Sequence, residues 1–473
     1  MAKNRQIYLL DPQNFSPETI AVTFAKTSRS SESFREIAAE LNDQISAEFN
    51  EKWVVGYGHS SVAEHAVLHL ALENISRLAV ETLESNRLAS YTEKSTRYQK
   101  WDRDAFFVPP ELESHALRQQ YLQTCEILFD TYEICLQAVN HYFQSIQQPG
   151  EGESPTQFER RIRSQAIDVC RFLLPAASLA NVGMTINARS LEHAIGKLLT
   201  QPLQETRQIG DEIKKAALTS IPTLLKYADE IPYLREVQKT FAGVQMPTKK
   251  TGKEWCALSE VDPDALDQVF AAALYHQQQI PYSQAKEWIR EASAAQKETF
   301  FHCLLQTGNR HTIPARELEA AFFTFDLMLD QGAYFEVKRH RMMTQIPQGL
   351  TAHLGYAIPR VIEAAGVLDR YQTAMETARS TFSSLEEMNP ALAAYVVPNG
   401  FNRRVLLKLN LRSLVHFIRL RSAPNAHFSV RRAAQKMYEE VSSQIPLLRD
   451  IPGRNEAESS LSIESEYFFS TCQ

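Results

Sequence analysis

Apolar residues recur at three- and four-residue spacing through much of the chain. The two longest such runs, "ALRQQYLQTCEILFDTYEICLQAVNHYF" and "VLDRYQTAMETARSTFSSLEEM", predict amphipathic helices. Shorter apolar runs closed by Pro, Gly or Asp predict strands: "RQIYLLD", "AFFVPP", "AHLGYAIP" and "YVVPNG". In "NLRSLVHFIRLR" the spacing predicts a helix with Arg412 and His416 on one face and Leu414, Phe417 and Leu420 turned toward a core. The pattern as a whole predicts a mixed α/β chain with many helices.

The same pattern occurs twice. "HAVLHLALENISRLAVETLESNRLASYTEKSTRY" leads through "AFFVPPELE" and a long helical stretch to "CRFLLPAASLANVGMTINARSLEHAIGKLL". Later, "AAFFTFDLMLDQGAYFEVKRHRMMTQIPQGLT" leads through "GYAIPRVIE" and another helical stretch to "AYVVPNGFNRRVLLKLNLRSLVHFIRLR". Order and spacing agree, as do the pairs LLP/VVP and NARSLEH/NLRSLVH, which predicts an internal duplication. The polar, Pro- and Gly-bearing "VQMPTKKTGKEW" suits a linker, giving a first domain over 1–235, a linker over 236–260 and a second domain over 261–473.

A length of 473 residues accommodates two such cores, and 44% hydrophobic with 22% charged residues is ordinary for a globular protein. No apolar run reaches the roughly 20 residues of a membrane helix, and the N-terminus lacks a secretory apolar region. The six scattered cysteines lack CxxC pairing, which predicts reduced thiols in a cytoplasm and no zinc site. A net charge of −6 gives no global attraction to nucleic acid, so any anion must be held by a local Arg cluster.

Three stretches carry such chemistry. "FEVKRHRMMTQ" sets Arg339, His340 and Arg341 in succession. That run reads either as a solvated basic helix end or as an anion site, and the gathering of Arg412, Arg419 and Arg421 on the nearby predicted helix favours the anion, since guanidinium groups match phosphate and carboxylate. "YTEKSTRY" places Glu93, Ser95 and Arg97 at alternate positions, on one side if extended. "GYGHSSVAEHA" offers His59, Ser61, Glu64 and His65. Its two His are six apart, unlike the four of HExxH, so no metal is assigned; Ser60 or Ser61 capping a helix with Glu64 is the structural alternative. GxGxxG, GxxxxGK[ST] and GxSxG are absent.

Taken together, these residues resemble the flavin-dependent thymidylate synthases. The family signature is RHR followed by Glu-x-Ser-x-Arg, preceded by G-H-x-S-x-x-E-H and followed by an N-A-R-S-L helix that ends in Arg. The resemblance implies a helix-rich fold with a small central sheet in each copy. It also implies FAD, with NADPH and methylenetetrahydrofolate as cosubstrates, methylation of dUMP at C5, and sites assembled from several subunits. Neither copy keeps the whole signature. The first has Ser85, Asn86 and Arg87 at the RHR positions but retains Glu93, Ser95 and Arg97. The second has Arg339, His340 and Arg341, then Pro347, Gly349 and Thr351. The strand Arg is Arg171 in the first copy and Ala394 in the second; the helix-ending Arg is Arg421 in the second and Leu198 in the first.

By the family's sharing rule these survivors make one complete set. The resemblance implies dUMP held by Glu93, Ser95, Arg97, Arg171, Arg339 and Arg421, with Arg421 polarising the uracil as the catalytic residue. It implies FAD contacts from Arg339, His340, Arg341, Ser61 and Glu93, and from one or both of the sets Asn410, Arg412, His416 and Asn187, Arg189, His193. His59 falls at a folate-associated position. Glu336 stands where the family has Gln, an anion beside an anionic substrate. The expected assembly is a homodimer imitating the family tetramer, with no nucleic-acid or membrane partner. A non-catalytic flavin- or nucleotide-binding homologue, and transfer of another one-carbon unit, remain open at this point. Because Leu198 marks the lost half-site, Leu198→Arg is expected to be tolerated.

Overall fold

The computed structural model describes residues 6–28, 30–244, 254–306 and 312–470 of the chain. Strands β1 (Val67–Ser76), β2 (Ala89–Glu93) and β3 (Leu179–Asn187) form an antiparallel sheet in the order β1-β3-β2. Strict alternation along β3 turns Ala180, Val182, Met184 and Ile186 into a core, as period-two side-chain geometry requires. A second antiparallel sheet orders β4 (Cys256–Val261), β5 (Phe322–Asp330), β6 (Thr344–Pro347) and a later strand, β8, as β4-β5-β8-β6. Between β6 and β8 lies β7 (Ile358–Pro359); β8 is Asn402–Asn410, and β7 pairs with the terminal β9 (Phe468–Ser470).

The duplication is visible in the backbone. Each of the two copies runs a strand directly into a helix through a polar N-cap, which satisfies amide groups the first helical turn leaves unpaired. Ser76 caps Arg77–Leu83 and Asp330 caps Gln331–Lys338. Asn187 caps Ala188–Leu199, and Asn410 caps Leu411–Arg421. The register agrees as well: β1 meets β3 from Val67↔Asn187 to Ser76↔Leu179, and β5 meets β8 from Phe322↔Asn410 to Asp330↔Asn402.

Compact units and sequence copies divide the chain differently. One unit takes the described residues up to Lys94, Ala105–Arg118 and those from Ala177 as far as 244. The other takes Ser95–Asp104, Gln119–Ala176 and the described residues from 254 onward. The long helix Arg118–Ile146 therefore lies, beyond its first residue, in the same unit as Leu368–Glu386, its counterpart in the second copy. The Thr124 and Thr381 hydroxyls of these two helices hydrogen-bond at 2.7 Å. The matched LLP and VVP stretches pair with each other: Pro175 bridges Pro398, Ala176 N donates to Val397 O at 2.9 Å, and Asn399 N donates to Leu174 O at 3.0 Å. Of the stretch read as linker, residues 245–253 lie outside the described residues, and its last residues enter β4, where Cys256 turns inward.

Both long helices match their predicted runs. The four strand expectations do not. "AFFVPP" makes only an isolated bridge at Phe106, because Pro109 and Pro110 offer no amide proton to a ladder. "YVVPNG" runs out of the 3₁₀ turn Ala394–Val396 and joins no strand, and "AHLGYAIP" makes an isolated bridge at Tyr356 and a two-residue strand at Ile358–Pro359, after Gly355 at φ 71° has turned the chain. In "RQIYLLD", Ile7 and Leu9 are exposed and residues 6–11 form no strand. Among the described residues no helix is long and apolar enough to cross a membrane.

Candidate active site

Five segments of the second unit converge on one cluster of arginines. The helix Gln331–Lys338 is buried at every residue and is tied at its start by Asp330, whose Oδ1 accepts from Ala333 N at 2.8 Å. Ser429 donates to the other Asp330 oxygen. Burial pushes the Asp330 carboxyl up, against the pull of those hydrogen bonds and of Arg171 and Arg432. Arg339 is the C-cap of this helix and is exposed.

Arg421, at the end of Leu411–Arg421, donates from Nη1 to Glu336 Oε2 at 2.5 Å and from Nε to His340 Nε2 at 2.9 Å. Arg97 grips Asp168 in a bidentate pair, Nε to Oδ1 and Nη2 to Oδ2, both at 2.8 Å. Its Nη1 stands 3.9 Å from Glu336 Oε1, and its Nη2 also donates to Asn425 O at 3.2 Å. Arg171, only 2% exposed, begins the 3₁₀ turn after the helix Pro155–Cys170. It donates from Nη2 to Gly332 O at 3.3 Å, lies 4.0 Å from Asp168, and keeps a buried Nε with no hydrogen-bond partner. A Cβ at position 332 would come within 3.4 Å of Arg171 Nη2 and 3.1 Å of Asp330 Oδ1, so either side chain would have to give way by a few tenths of an ångström.

Burial pushes the Glu336 carboxyl up, but the combined field of Arg171, Arg421, Arg339 and Arg97 outweighs it and holds the group below its usual range, hence ionised. His340 goes the other way. Burial, then Arg421 and His416, press its imidazole down to about 3. The donated Arg421 Nε–H requires a lone pair on His340 Nε2, so the proton sits on Nδ1. In an NMR titration between about pH 5 and pH 8, His340 is expected to keep the signature of the neutral Nδ1–H form, whereas a free imidazole titrates there. A midpoint within that window would mean that Arg421 does not donate to it.

The cluster thus joins Arg97, with Ser95 bonded to its backbone, and Arg171 of the first copy to Arg339, His340 and Arg421 of the second within one compact unit, to which Arg341 also belongs. Glu93 belongs to the other unit, where it accepts from Arg77 at 2.5 Å, both side chains nearly buried. The extended arrangement expected for Glu93, Ser95 and Arg97 is therefore not found. β2 ends at Glu93, and Ser95–Gln99 is a turn closed by Gln99 N to Ser95 O at 3.1 Å and by Arg97 N to Ser95 Oγ at 3.2 Å. Sequence reasoning missed Asp168, Asn425 and His427. His427 accepts from Ser429 N at Nδ1 and donates from Nε2 to Asp168 O at 3.1 Å, holding the Arg97 partner in place. The only signal for Asp168 was its position three residues before Arg171 on a predicted helix.

Most of the remaining candidates serve as helix caps or ion-pair partners. Asn187 and Asn410 accept from Ser190 N and Ser413 N, each at 2.9 Å, as helix caps. Arg412 pairs with Glu319 at 2.6 Å, and the His416 ring lies 5.5 Å from that of His340. In the first unit a cleft of about 570 Å³ is lined by Phe24, Phe49, Trp53, His59, Ser61, Glu64 and His65. Glu64 accepts from Arg189 at 2.5 Å, and the 3₁₀ turn Val62–His65 has no side-chain cap. The capping box expected at Ser60 or Ser61 is thus replaced by an ion pair. Burial, then Lys197, lowers the His193 imidazole. At the lost half-site Lys197 donates to Ser85 Oγ at 2.5 Å, and Leu198 is core.

This arrangement matches the description "Thymidylate synthase complementing protein", whose family model covers residues 11–223 and again 258–447. The chain belongs to that family, the flavin-dependent thymidylate synthases, and carries its domain twice. It is 32% identical over 431 residues to the UPF0159 protein of Chlamydia muridarum, covering 85% of this chain and 80% of that one. It is 27% identical to the flavin-dependent thymidylate synthase of Clostridium tetani, over 45% of this chain and 82% of the relative. The crystal structure of the Helicobacter pylori flavin-dependent thymidylate synthase complexed with FAD and dUMP aligns at 18% identity with a TM-score of 0.32, over 42% of this chain and 99% of that one.

Proposed function

We propose that the chain is an FAD-dependent enzyme that methylates dUMP at C5, taking the carbon from methylenetetrahydrofolate and reducing equivalents from NADPH. The observation that carries this reading is the meeting of Arg97 and Arg171 with Glu336 and Arg421 in one cluster, although they come from opposite copies. Arg97, Arg171 and Ser95 hold the phosphate through charge-assisted donors. Arg339, exposed at the rim, reaches the nucleotide. Arg421 stabilises negative charge on the pyrimidine ring as C5 becomes nucleophilic, as a donor aimed at developing charge does elsewhere. Neutral His340 fixes the Arg421 fork in orientation by accepting its Nε–H.

The donor set suits a flavin: the cleft of the first unit combines aromatic walls with Ser61, His59 and Glu64, the carboxylate that pairs with Arg189, a lining fit for a planar polar ring system. The residues that would hold it are Ser61, Arg189 and His193 within the first unit, or His340, Arg341, Arg412 and His416 within the second, and His59 is the folate candidate. When bound, the flavin supplies the hydride chemistry. Domains 1–235 and 261–473 are the two gene copies, and two chains together form the family's four-domain assembly.

Purified protein reconstituted with FAD is expected to convert dUMP, methylenetetrahydrofolate and NADPH to dTMP, and its gene to rescue a thymidine auxotroph. Product mass separates methyl from hydroxymethyl transfer. Flavin and dUMP binding without NADPH oxidation would identify a non-catalytic homologue and overturn this reading.

A further inference from the structure

The geometry points to Glu336 as a built-in counter-ion that occupies the position of the ligand's anionic group and must be displaced when a phosphate-bearing ligand binds. The inference rests on the nucleotide reading of this cluster for where the phosphate goes, and on the observed side-chain placement for the group that stands there now. One carboxylate spans the two functions: Oε2 is held by Arg421 at 2.5 Å, and Oε1 faces Arg97 at 3.9 Å. Its position between the ring-side and phosphate-side guanidinium groups is the one a bound anion would take.

The ion pair with Arg421 accounts for Oε2 but not for Oε1. Arg97 already has a complete bidentate partner in Asp168, so it does not need Glu336 for neutralisation. The cluster also remains richer in donors than in acceptors. Four guanidinium groups, those of Arg97, Arg171, Arg339 and Arg421, act on Glu336. Among them Arg171 retains a buried Nε that makes no hydrogen bond, its nearest carboxylate being Asp168 at 4.0 Å. An unmet buried donor is expensive to leave, and a ligand oxygen is the natural acceptor.

Displacement has a route. The helix carrying Glu336 is buried along its whole length, so its backbone is fixed, and only side-chain torsions can move the carboxylate. Arg339 lies three residues on, exposed at the helix C-cap, on the neighbouring position of the same helical face. Turning from Arg421 to Arg339 keeps Glu336 paired, releases the Arg421 fork and removes the negative charge that faces Arg97. A dianion that enters without displacing Glu336 meets a like charge in a largely desolvated site. Glu336 is thus a specificity-determining residue: its charge suppresses the contribution of the phosphate to affinity more than that of the neutral base and sugar.

The test compares dUMP, deoxyuridine and inorganic phosphate binding by calorimetry on the full-length wild type, Glu336→Gln and Glu336→Asp. The dUMP-to-deoxyuridine affinity ratio is expected to rise about tenfold or more in Glu336→Gln and to stay near wild type in Glu336→Asp, which keeps the charge. If the amide variant folds poorly by circular dichroism, Glu336→Ala removes the same charge and carries the same expectation. An unchanged ratio in the neutral variants overturns the inference. Tighter inorganic phosphate binding in Glu336→Gln, with no dUMP binding by any variant, would keep the counter-ion and discard the nucleotide. Failure of all three ligands on every variant would discard both.

Discussion

Arg421→Ala is expected to lower kcat for dTMP formation about a hundredfold to a thousandfold, the scale seen when one donor to a developing anion is removed. It is also expected to destabilise the second unit, because Glu336 and Arg421 are 7% and 11% exposed and breaking such a pair strands a buried charge. Removing one partner of a buried pair commonly costs about 3–5 kcal/mol, which would confound a simple activity assay. The double variant Arg421→Ala/Glu336→Gln separates the two effects. With no carboxylate left uncompensated it should recover stability in a denaturant melt, while turnover stays low, since the ring-polarising group is still missing. Arg421→Lys adds a second control: it restores charge without the fork that engages Glu336 and His340 together, so it should rescue kcat only in part. Recovery of full turnover in the double variant would remove Arg421 from the chemistry.

The corresponding position in the first copy predicts the opposite failure. Leu198→Arg should destabilise the first unit by more than about 4 kcal/mol, seen as an early transition in thermal unfolding. From sequence alone the substitution looked harmless, a return to the residue the family carries at a half-site this copy has lost. The structure reverses that expectation. Leu198 is 1% exposed and packs with Leu191, Ile195 and Ile213 in the first core. Its Cβ stands 3.0 Å from where a side-chain carbon on Gly210 would lie, so the two helices are closely packed here and a guanidinium would enter an apolar core. A soluble Leu198→Arg protein with wild-type melting would show that this copy still keeps an anion pocket.

These two positions also mark how far the sequence could be read. The long helices were legible because a stripe such as Tyr121, Cys125, Leu128, Tyr132 and Val139 repeats with the helical period and is buried as that period demands. The arginines were legible because two imperfect motifs complement each other residue by residue. Short apolar runs misled because burial and strand pairing are different things: Val396 and Val397 are fully inside, yet the prolines beside them, Pro175 and Pro398, join the copies instead of extending a sheet. Asp168 and His427 were invisible for another reason. Their roles are defined by their effect on Arg97, a contact that links residues far apart in the chain and leaves no local pattern.

The inclusion of first-copy helices in the second unit also bears on how the molecule is made. Gln119–Ala176 leaves the ribosome well before Cys256–Val261 and Phe322–Asp330, the strands of the unit to which it belongs. The helix Arg118–Ile146, with its buried Tyr121, Phe129 and Tyr132, must therefore wait with an apolar stripe uncovered through much of translation. Ordinary tandem domains finish one at a time during synthesis. Here the second unit cannot close until the C-terminal half arrives, which makes the nascent chain a natural client for chaperones and makes separate expression of either half a route to aggregation.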